Sequence, residues 1–169
     1  MKEPLERDHV DDLLEEIADL PFDREVEGVV DRIMSLSKRI RRTHEATLKE
    51  FELSHGEFKT LGYLRRESMS PGELAEHLEV SSGAMTNRLD QLERAALVRR
   101  LPDPNDRRGI RVEITDAGRT AYADAFVAQA AKESLIASTL SDAEKQELNA
   151  LLRRLMLAFD AKVGPAANC

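Results

Sequence analysis

The sequence predicts a mainly α-helical fold that contains one small β-hairpin. Apolar residues recur at steps of three and four through most of the 169 residues, which is the pattern of amphipathic helices. Only residues 97–114 show the alternation of period two that is typical of strands. Aromatic residues make up 4% of the chain and tryptophan is absent, which favours helices packed through aliphatic side chains.

Length and composition exclude several classes of protein. A chain of 169 residues with 41% hydrophobic residues is expected to fold as one compact domain or as a small domain with extra helices. The single cysteine, Cys169, excludes an internal disulfide and a cysteine-based zinc knuckle. No run reaches the roughly 18 apolar residues of a membrane span, and the acidic start does not resemble a signal peptide. We therefore expect a cytoplasmic protein without a membrane partner.

Two helices are predicted before residue 53. A short apolar stripe from Val10 to Leu20 indicates a helix that Pro21 ends. A second stripe indicates an amphipathic helix from about Asp23 to Glu52, which would be on the order of 40 Å long. This helix is too long for a small globule to cover.

A helix-turn-helix follows. Capping boxes, in which a serine precedes a glutamate by three residues, mark helix starts at Ser54, Ser70 and Ser141. The helix after Ser70 is about two turns long, and Ser81 caps another whose inward stripe includes Met85 and Leu89. A short helix, a brief break and a second helix with an inward apolar stripe are typical of a helix-turn-helix.

A charged hairpin comes next. Residues 97–101 and 110–114 alternate as strands, and residues 102–109 between them are turn formers and charged residues. Thr115 begins an alanine-rich helix that extends to about Thr139, and the last helix ends near Val163. The complete pattern predicts a winged helix-turn-helix flanked by long helices at both ends.

The charge distribution is polarised along the chain. The formal net charge is −7, and residues 1–31 carry three basic against twelve acidic side chains. Residues 81–111 instead carry seven arginines against four acidic residues. Arginine suits bidentate contacts to phosphate and guanine, so the middle of the chain is the candidate for a nucleic-acid partner.

The hairpin and the helix start after it form a distinctive stretch, which runs from Asp103-Pro104-Asn105-Asp106-Arg107-Arg108-Gly109 into Val112-Glu113-Ile114-Thr115-Asp116-Ala117-Gly118-Arg119. This stretch is similar to the wing signature and the following helix start of the MarR family of bacterial transcriptional regulators, which residues 53–118 as a whole resemble. Ala96 departs from the pattern, because the family usually has glycine there. The resemblance implies a DNA-binding repressor that responds to a ligand.

The predicted domain organisation follows from this resemblance. Residues 1–52 form N-terminal dimerisation helices, residues 53–118 form the DNA-binding domain, residues 119–163 form C-terminal dimerisation helices and residues 164–169 form a tail. The family implies a homodimer, and the long apolar stripes at both ends agree with it. A two-fold dimer predicts a pseudo-palindromic site in double-stranded DNA with half-sites about 10 base pairs apart.

The polar face of the helix after Ser81 is the predicted reading surface. If Met85 points inward, a rotation of 100° per residue turns Gly83, Asn87, Asp90 and Arg94 outward, with Thr86 and Arg88 on the flanks. Ser81 and Ser82 lie at the helix start, where backbone amides are free to bind a phosphate. The predicted DNA contacts come from this helix and from two arginines of the hairpin. They are Ser81, Ser82, Gly83, Thr86, Asn87, Arg88, Asp90, Arg94, Arg107 and Arg108.

The tip of the hairpin carries the predicted minor-groove contacts. Arg107 and Arg108 project from a turn, and an arginine there is suited to a narrow minor groove. The family resemblance implies that Asp106 supports the wing by bracing an arginine, with Arg108 as the expected partner.

The sequence predicts only the chemical class of the effector. The family commonly binds small aromatic or phenolic acids between the dimerisation helices and the DNA-binding lobe, so we expect a small anionic or aromatic effector. The extra N-terminal helix and residues 82–90 resemble the urate-responsive branch, whose ligand-side arginines match Arg88 and Arg100, although that branch's tryptophan is missing. His44 on the long helix is the third candidate ligand-binding residue.

Other functions fit the sequence less well. The four histidines show no metal-ligand spacing, so no metal site or cofactor is predicted, although ligands distant in sequence leave a metal-responsive regulator as an alternative. Cys169 lies in the wrong place for a peroxide sensor. No phosphate loop or nucleophile elbow indicates an enzyme. A winged helix that binds only protein is the remaining alternative, and the paired arginines of the wing argue against it.

Overall fold

The fold was analysed in a computed structural model, which describes residues 7–104, 106 and 109–164. The described elements, in chain order, are α1 (His9–Glu16), α2 (Arg24–Lys49), α3 (His55–Leu64), α4 (Pro71–His77), α5 (Ser82–Arg94), β1 (Val98–Pro102), β2 (Ile110–Ile114), α6 (Asp116–Ile136), a 3-10 turn (Ala137–Thr139) and α7 (Asp142–Val163). The predicted fold class, mainly helical with a β-hairpin, is confirmed. The chain forms two compact units, Met1–His44 and Glu45–Cys169.

In the first unit, polar contacts fasten α1 to the first part of α2. The guanidinium of Arg32 donates to Asp8 at 3.0 Å and to Asp11 at 2.6 Å, and His9 lies 2.9 Å from the hydroxyl of Ser35. The hydrogen bond from Arg32 lowers the pKa of Asp8 below its ordinary value. Since Asp8 also caps α1, one arginine orders both the start of α1 and its packing on α2.

In the second unit, α3, α4, α5 and the two strands surround a single apolar core. Its fully buried side chains include Leu61, Leu74, Met85, Leu89 and Val112. Helices of 7 to 13 residues are marginal alone in water. The three helices therefore owe their stability to this shared core.

The wing is the antiparallel ribbon of β1 and β2 with the loop between them. Its register pairs Val98 with Ile114 and Arg100 with Val112. Met69 forms an isolated bridge with Val112, a pairing that the sequence pattern did not predict. Because a two-stranded ribbon is marginal by itself, its base depends on Val98, Val112 and Ile114, which are all buried.

The start of α6 lies against the turn between α5 and β1. The hydroxyl of Thr115 donates to the carbonyl of Ala96 at 2.7 Å, and the amide of Thr115 donates to the carbonyl of Leu97 at 3.0 Å. A Cβ at Gly118 would overlap that same Leu97 carbonyl, so only glycine permits this approach. The connection from wing to α6 is thereby fixed.

Helix α7 has no buried residue, although its sequence is amphipathic. Its exposed large apolar side chains are Leu148, Leu151, Leu155, Met156, Leu157, Phe159 and Val163. The C-terminal half of α6 is similarly exposed at Leu135 and Ile136. The apolar face of α7 is therefore uncovered in the part of the chain that the structure describes.

Ala96 occupies a strained backbone conformation in the turn between α5 and β1. Its φ is 58°, in the left-handed region that glycine adopts without strain, whereas the preceding Ala95 has a φ of −79°. We expect Ala96→Gly to raise the free energy of unfolding by about 0.5–1 kcal/mol, because it removes the Cβ contact that disfavours this region. Urea denaturation at a fixed protein concentration measures the change.

The neighbouring alanine provides a matched control. Ala95→Gly adds the same backbone freedom at a helical φ and should lower the free energy of unfolding by up to about 1 kcal/mol. Equal effects of the two substitutions would contradict the assigned strain.

Candidate nucleic-acid interface

Helix α5, hereafter the recognition helix, is held by one apolar face and exposes the opposite one. Met85, Leu89 and Leu92 are fully buried in the core. Ser81 caps the helix, since its hydroxyl accepts from the amide of Ala84 at 3.3 Å. The rotation that buries Met85 turns Gly83, Asn87 and Arg94 outward, as the periodicity predicts.

Several predicted contact residues are engaged within their own helix. The hydroxyl of Thr86 donates to the carbonyl of Ser82 at 2.9 Å, and Nε of Arg94 donates to the carbonyl of Asp90 at 3.1 Å. Both side chains nevertheless remain exposed. These internal hydrogen bonds leave a hydroxyl lone pair of Thr86 and both Nη groups of Arg94 available to a ligand, and they fix the orientation of the two side chains.

Asn87 and Gly83 form the open centre of this face. Within the described ranges, no protein group is hydrogen-bonded to the side chain of Asn87, which is exposed. Nothing lies within 4 Å of the position a Cβ would take at Gly83. An amide with both its donor and acceptor unused, beside a position without a side chain, is suited to the edge of a base.

Arg88 turns from the recognition helix toward α3. Its guanidinium lies so close to Gly56 that a Cβ there would be 2.5 Å from Nη2. The side chain is half-buried as a result. Arg88 therefore sits at the side of the reading face, between α5 and α3.

Arg100 on β1 is bound by two carboxylates of the recognition helix. Its Nη2 donates to Asp90 and its Nη1 to Glu93, each at 2.6 Å, and its backbone amide donates to Glu93 at 3.1 Å. Burial disfavours the charge, but the hydrogen bonds to Asp90 and Glu93 outweigh it and raise the pKa of Arg100. This arginine links the wing to the recognition helix.

A second arginine links the wing to the other helix of the motif. Nε of Arg111 donates to the hydroxyl of Ser68 at 3.0 Å, and Nη2 donates to the carbonyl of Ser68. Nη1 lies 3.8 Å from Glu73 and 3.7 Å from Asp103. Sequence reasoning treated Arg111 only as part of the basic segment, because nothing local in the sequence indicates a partner 43 residues away.

Backbone hydrogen bonds connect the two sides of the loop between β1 and β2. The amide of Asp103 donates to the carbonyl of Gly109 at 3.0 Å, and the amide of Gly109 donates to the carbonyl of Asp106 at 2.9 Å. Arg107 and Arg108 lie outside the described residues. Their DNA contacts, and the support of Arg108 by Asp106, stay predictions.

The three predicted ligand-binding residues lie on three different elements, and their role stays a prediction. His44 belongs to the first unit, Arg88 lies against α3 and Arg100 is bound by Asp90 and Glu93. A cavity of about 490 Å³ is instead lined by α3, α4 and α6. Its lining residues are Phe58, Lys59, Gly62, Tyr63, Arg66, Glu67, Met69, His77 and Tyr122.

Aromatic rings form part of this cavity's wall. Phe58 stacks on Tyr122 with ring centroids 4.7 Å apart, and Tyr63 stacks on His77 at 5.4 Å. The guanidinium of Arg65 lies 5.4 Å from the centre of the Tyr122 ring. The sequence analysis did not name these lining residues, since Phe58 is predicted as an ordinary core position and Tyr122 is 64 residues away.

The described residues contain no group of three or more His, Cys, Asp or Glu side chains placed to hold a metal ion. No described helix has both the length and the apolar character needed to cross a membrane.

This geometry defines a winged helix-turn-helix: a recognition helix with an open polar face, joined to a hairpin wing. The model of the MarR family matches residues 53–110. The HTH-type transcriptional regulator PecS of Dickeya dadantii is 32% identical over 131 residues, which are 75% of this chain and 79% of PecS. The chain belongs to the MarR family and is a winged-helix transcriptional regulator.

Solved structures agree with this assignment. Wild-type MarR from E. coli in its apo form superposes with a TM-score of 0.68 at 27% identity, covering 75% of this chain and 94% of that one. A mutant MarR from E. coli complexed with operator DNA superposes with a TM-score of 0.63 at 27% identity, covering 78% and 96%. The fold described above is thus the fold of a family member that binds an operator.

Proposed function

We propose that this chain acts in the cytoplasm, as a homodimer, and represses transcription by binding a pseudo-palindromic operator. The observation that carries the DNA-binding part is the exposed face of the recognition helix, where Asn87 has its amide unused and Gly83 leaves room for a close approach. The similar structure of a mutant MarR complexed with operator DNA supports the same use of this face. No enzymatic activity is part of the proposal.

On this proposal the recognition helix enters the major groove and the wing enters the adjacent minor groove. Asn87 pairs with a base, and adenine is its best partner because it offers an acceptor and a donor side by side. Ser81, Ser82 and Thr86 bind the phosphates beside the helix start. Arg107 and Arg108 supply the minor-groove contact, an assignment that rests on the sequence.

The base contact is tested by Asn87→Ala. We expect this variant to bind its preferred operator more weakly by about 1–3 kcal/mol while binding to unrelated DNA is unchanged, because a base contact is lost and a phosphate contact is not. Fluorescence anisotropy with an operator selected from a random duplex pool measures both affinities.

Asn149→Ala is the matched control, since it removes an exposed helical asparagine from α7. It should bind both DNAs like the parent. If Asn87→Ala keeps full preference for the selected operator, the assigned base contact is wrong. If the parent selects no sequence at all, the alternative of a winged helix that binds only protein gains support.

The dimer part of the proposal rests on the bare apolar face of α7. Leu148, Leu151 and Leu155 share one side of the helix, and each is 45–49% exposed. A second copy of the chain supplies a self-complementary cover, and a two-fold pair is the commonest solution among soluble oligomers. Two recognition helices then address two half-sites.

We expect Leu151→Glu to shift the protein from dimer to monomer at micromolar concentration, because a carboxylate in an apolar interface is costly to desolvate. Gln146→Glu adds the same charge on the opposite, polar side of α7 and should leave the dimer intact. Sedimentation equilibrium distinguishes the two states. A monomeric parent, or a dimeric Leu151→Glu variant, contradicts this interface.

The effector part of the proposal concerns the cavity beside Phe58 and Tyr122. Its stacked rings offer an apolar wall to a flat molecule, while Lys59 and Arg66 offer positive charge. An aromatic acid combines the two features that this lining binds. We propose that such an acid occupies the cavity and releases the DNA, with urate and metal ions as the competing effectors.

A mobility-shift assay on the selected operator, with a panel of aromatic acids, urate and divalent metal ions, tests this assignment. We expect an aromatic acid to release the parent, and Arg66→Gln to need at least about tenfold more acid because a charged hydrogen bond is lost. Arg154→Gln on α7 is the control and should respond like the parent. Release by metal ions alone, or an unchanged response of Arg66→Gln, overturns the assignment.

A further inference from the structure

The outer end of the wing is packed less tightly than the rest of the ribbon. Pro102 and Ile110 are exposed and Leu101 is half-buried, whereas Val98 and Val112 are buried. Short ribbons of two strands are not rigid by themselves. Side-chain contacts along the ribbon can therefore add to the buried base and to the bridge from Met69 in setting the angle between the wing and the recognition helix.

Two arginines near the middle of the ribbon connect it to the helix-turn-helix from opposite faces. Arg100 pairs with Val112 and Leu101 pairs with Arg111, so the side chains of Arg100 and Arg111 leave on different faces. Arg100 reaches the recognition helix, and Arg111 reaches Ser68 and the first turn of α4. Both side chains are only 26% exposed.

The acidic partners are spaced to receive a single guanidinium. Asp90 and Glu93 are three residues apart and so lie on the same side of α5. Glu93 also accepts from the backbone amide of Arg100, so it fixes the strand as well as the side chain. A guanidinium bound by two carboxylates in this way holds a defined direction.

We propose that Arg100 and Arg111 are positioning residues that set the wing at the angle required for DNA binding, and that Asp90 and Glu93 act through Arg100. This inference rests on the proposed function, because the angle matters only if the wing and the recognition helix bind one duplex. It assigns Arg100 a role other than the predicted ligand contact, and Asp90 a role other than a direct base contact.

Charge gives this proposal a distinctive consequence. Glu93 is negative and lies on the recognition helix next to Arg94, so its neutralisation should tighten binding if only the average electrostatics mattered. If Glu93 acts by holding Arg100, the same neutralisation should weaken binding. The two explanations therefore differ in the sign of one measured effect.

The experiment compares Glu93→Gln, Arg100→Gln, the double variant and the parent on the selected operator, at several salt concentrations. We expect Glu93→Gln and Arg100→Gln each to lose about tenfold in affinity. The double variant should bind no more weakly than the single variant with the larger loss, because the two substitutions break the same interaction. The slope of log affinity against log salt should not change, since no phosphate contact is removed. Arg111→Gln should lose affinity with the same unchanged slope.

Glu113→Gln is the matched control. Glu113 pairs with Arg99 at 2.9 Å on the same ribbon, but Arg99 is 62% exposed and the pair links the two strands only to each other. The control should bind as tightly as the parent or slightly more tightly. Amide hydrogen exchange without DNA should show faster exchange of β1 and β2 in Glu93→Gln than in Glu113→Gln, while thermal melting confirms that each variant is folded.

The outcomes separate this proposal from the one on which it rests. If the parent binds the operator but Glu93→Gln binds as tightly or more tightly, the positioning role is wrong and the proposed function stands. Losses that multiply in the double variant, or a slope reduced by about one in Arg100→Gln, identify Arg100 as a direct DNA contact and also overturn it. A parent that binds no DNA overturns both proposals.

Discussion

The anchoring of the recognition helix by Met85, Leu89 and Leu92 is the constraint on which the other features depend. These three side chains are fully buried and fix the rotation of α5 about its own axis. A rotation by one residue would turn a leucine into solvent and Asn87 toward the core. The same three contacts therefore determine which polar groups face outward and which carboxylates meet Arg100.

Burial thus decides the identity of the reading face, while ion pairs decide how the wing lies beside it. The core residues Val98 and Val112 anchor the ribbon in the core, and positions 100 and 111 beside them carry arginines. The arginines reach carboxylates on two different helices of the motif. Hydrogen-bonded ion pairs of this kind are directional. They therefore specify the angle between the wing and the recognition helix, which nonspecific apolar packing does not.

Much of this architecture follows from local patterns in the sequence. The predicted capping boxes at Ser54, Ser70 and Ser141 begin helices in the structure, and the predicted alternation in residues 97–101 and 110–114 matches two paired strands. Such features depend on residues within one or two turns of each other, which a periodic pattern records directly. The outward orientation of Asn87 is predicted on the same basis.

Contacts between distant residues were beyond that reasoning. Nothing near Arg111 indicates Ser68, and the stack of Phe58 on Tyr122 joins two helices that the sequence separates by a whole motif. For Arg100 the sequence did indicate a partner. Arg100 lies two residues after Val98 and so on the same side of β1, and a charge on the side that faces the core requires partners. Two carboxylates three residues apart on the preceding helix were the candidates.

The most direct test of the account is chemical footprinting of the protein on its selected operator. Insertion of two recognition helices and two wings predicts two protected major-groove segments about 10 base pairs apart, each flanked by minor-groove protection and related by a dyad. Hydroxyl-radical cleavage and methylation protection report the two grooves separately. Protection of the backbone alone, without any protected base edge, would contradict the claim that the polar face of α5 reads DNA.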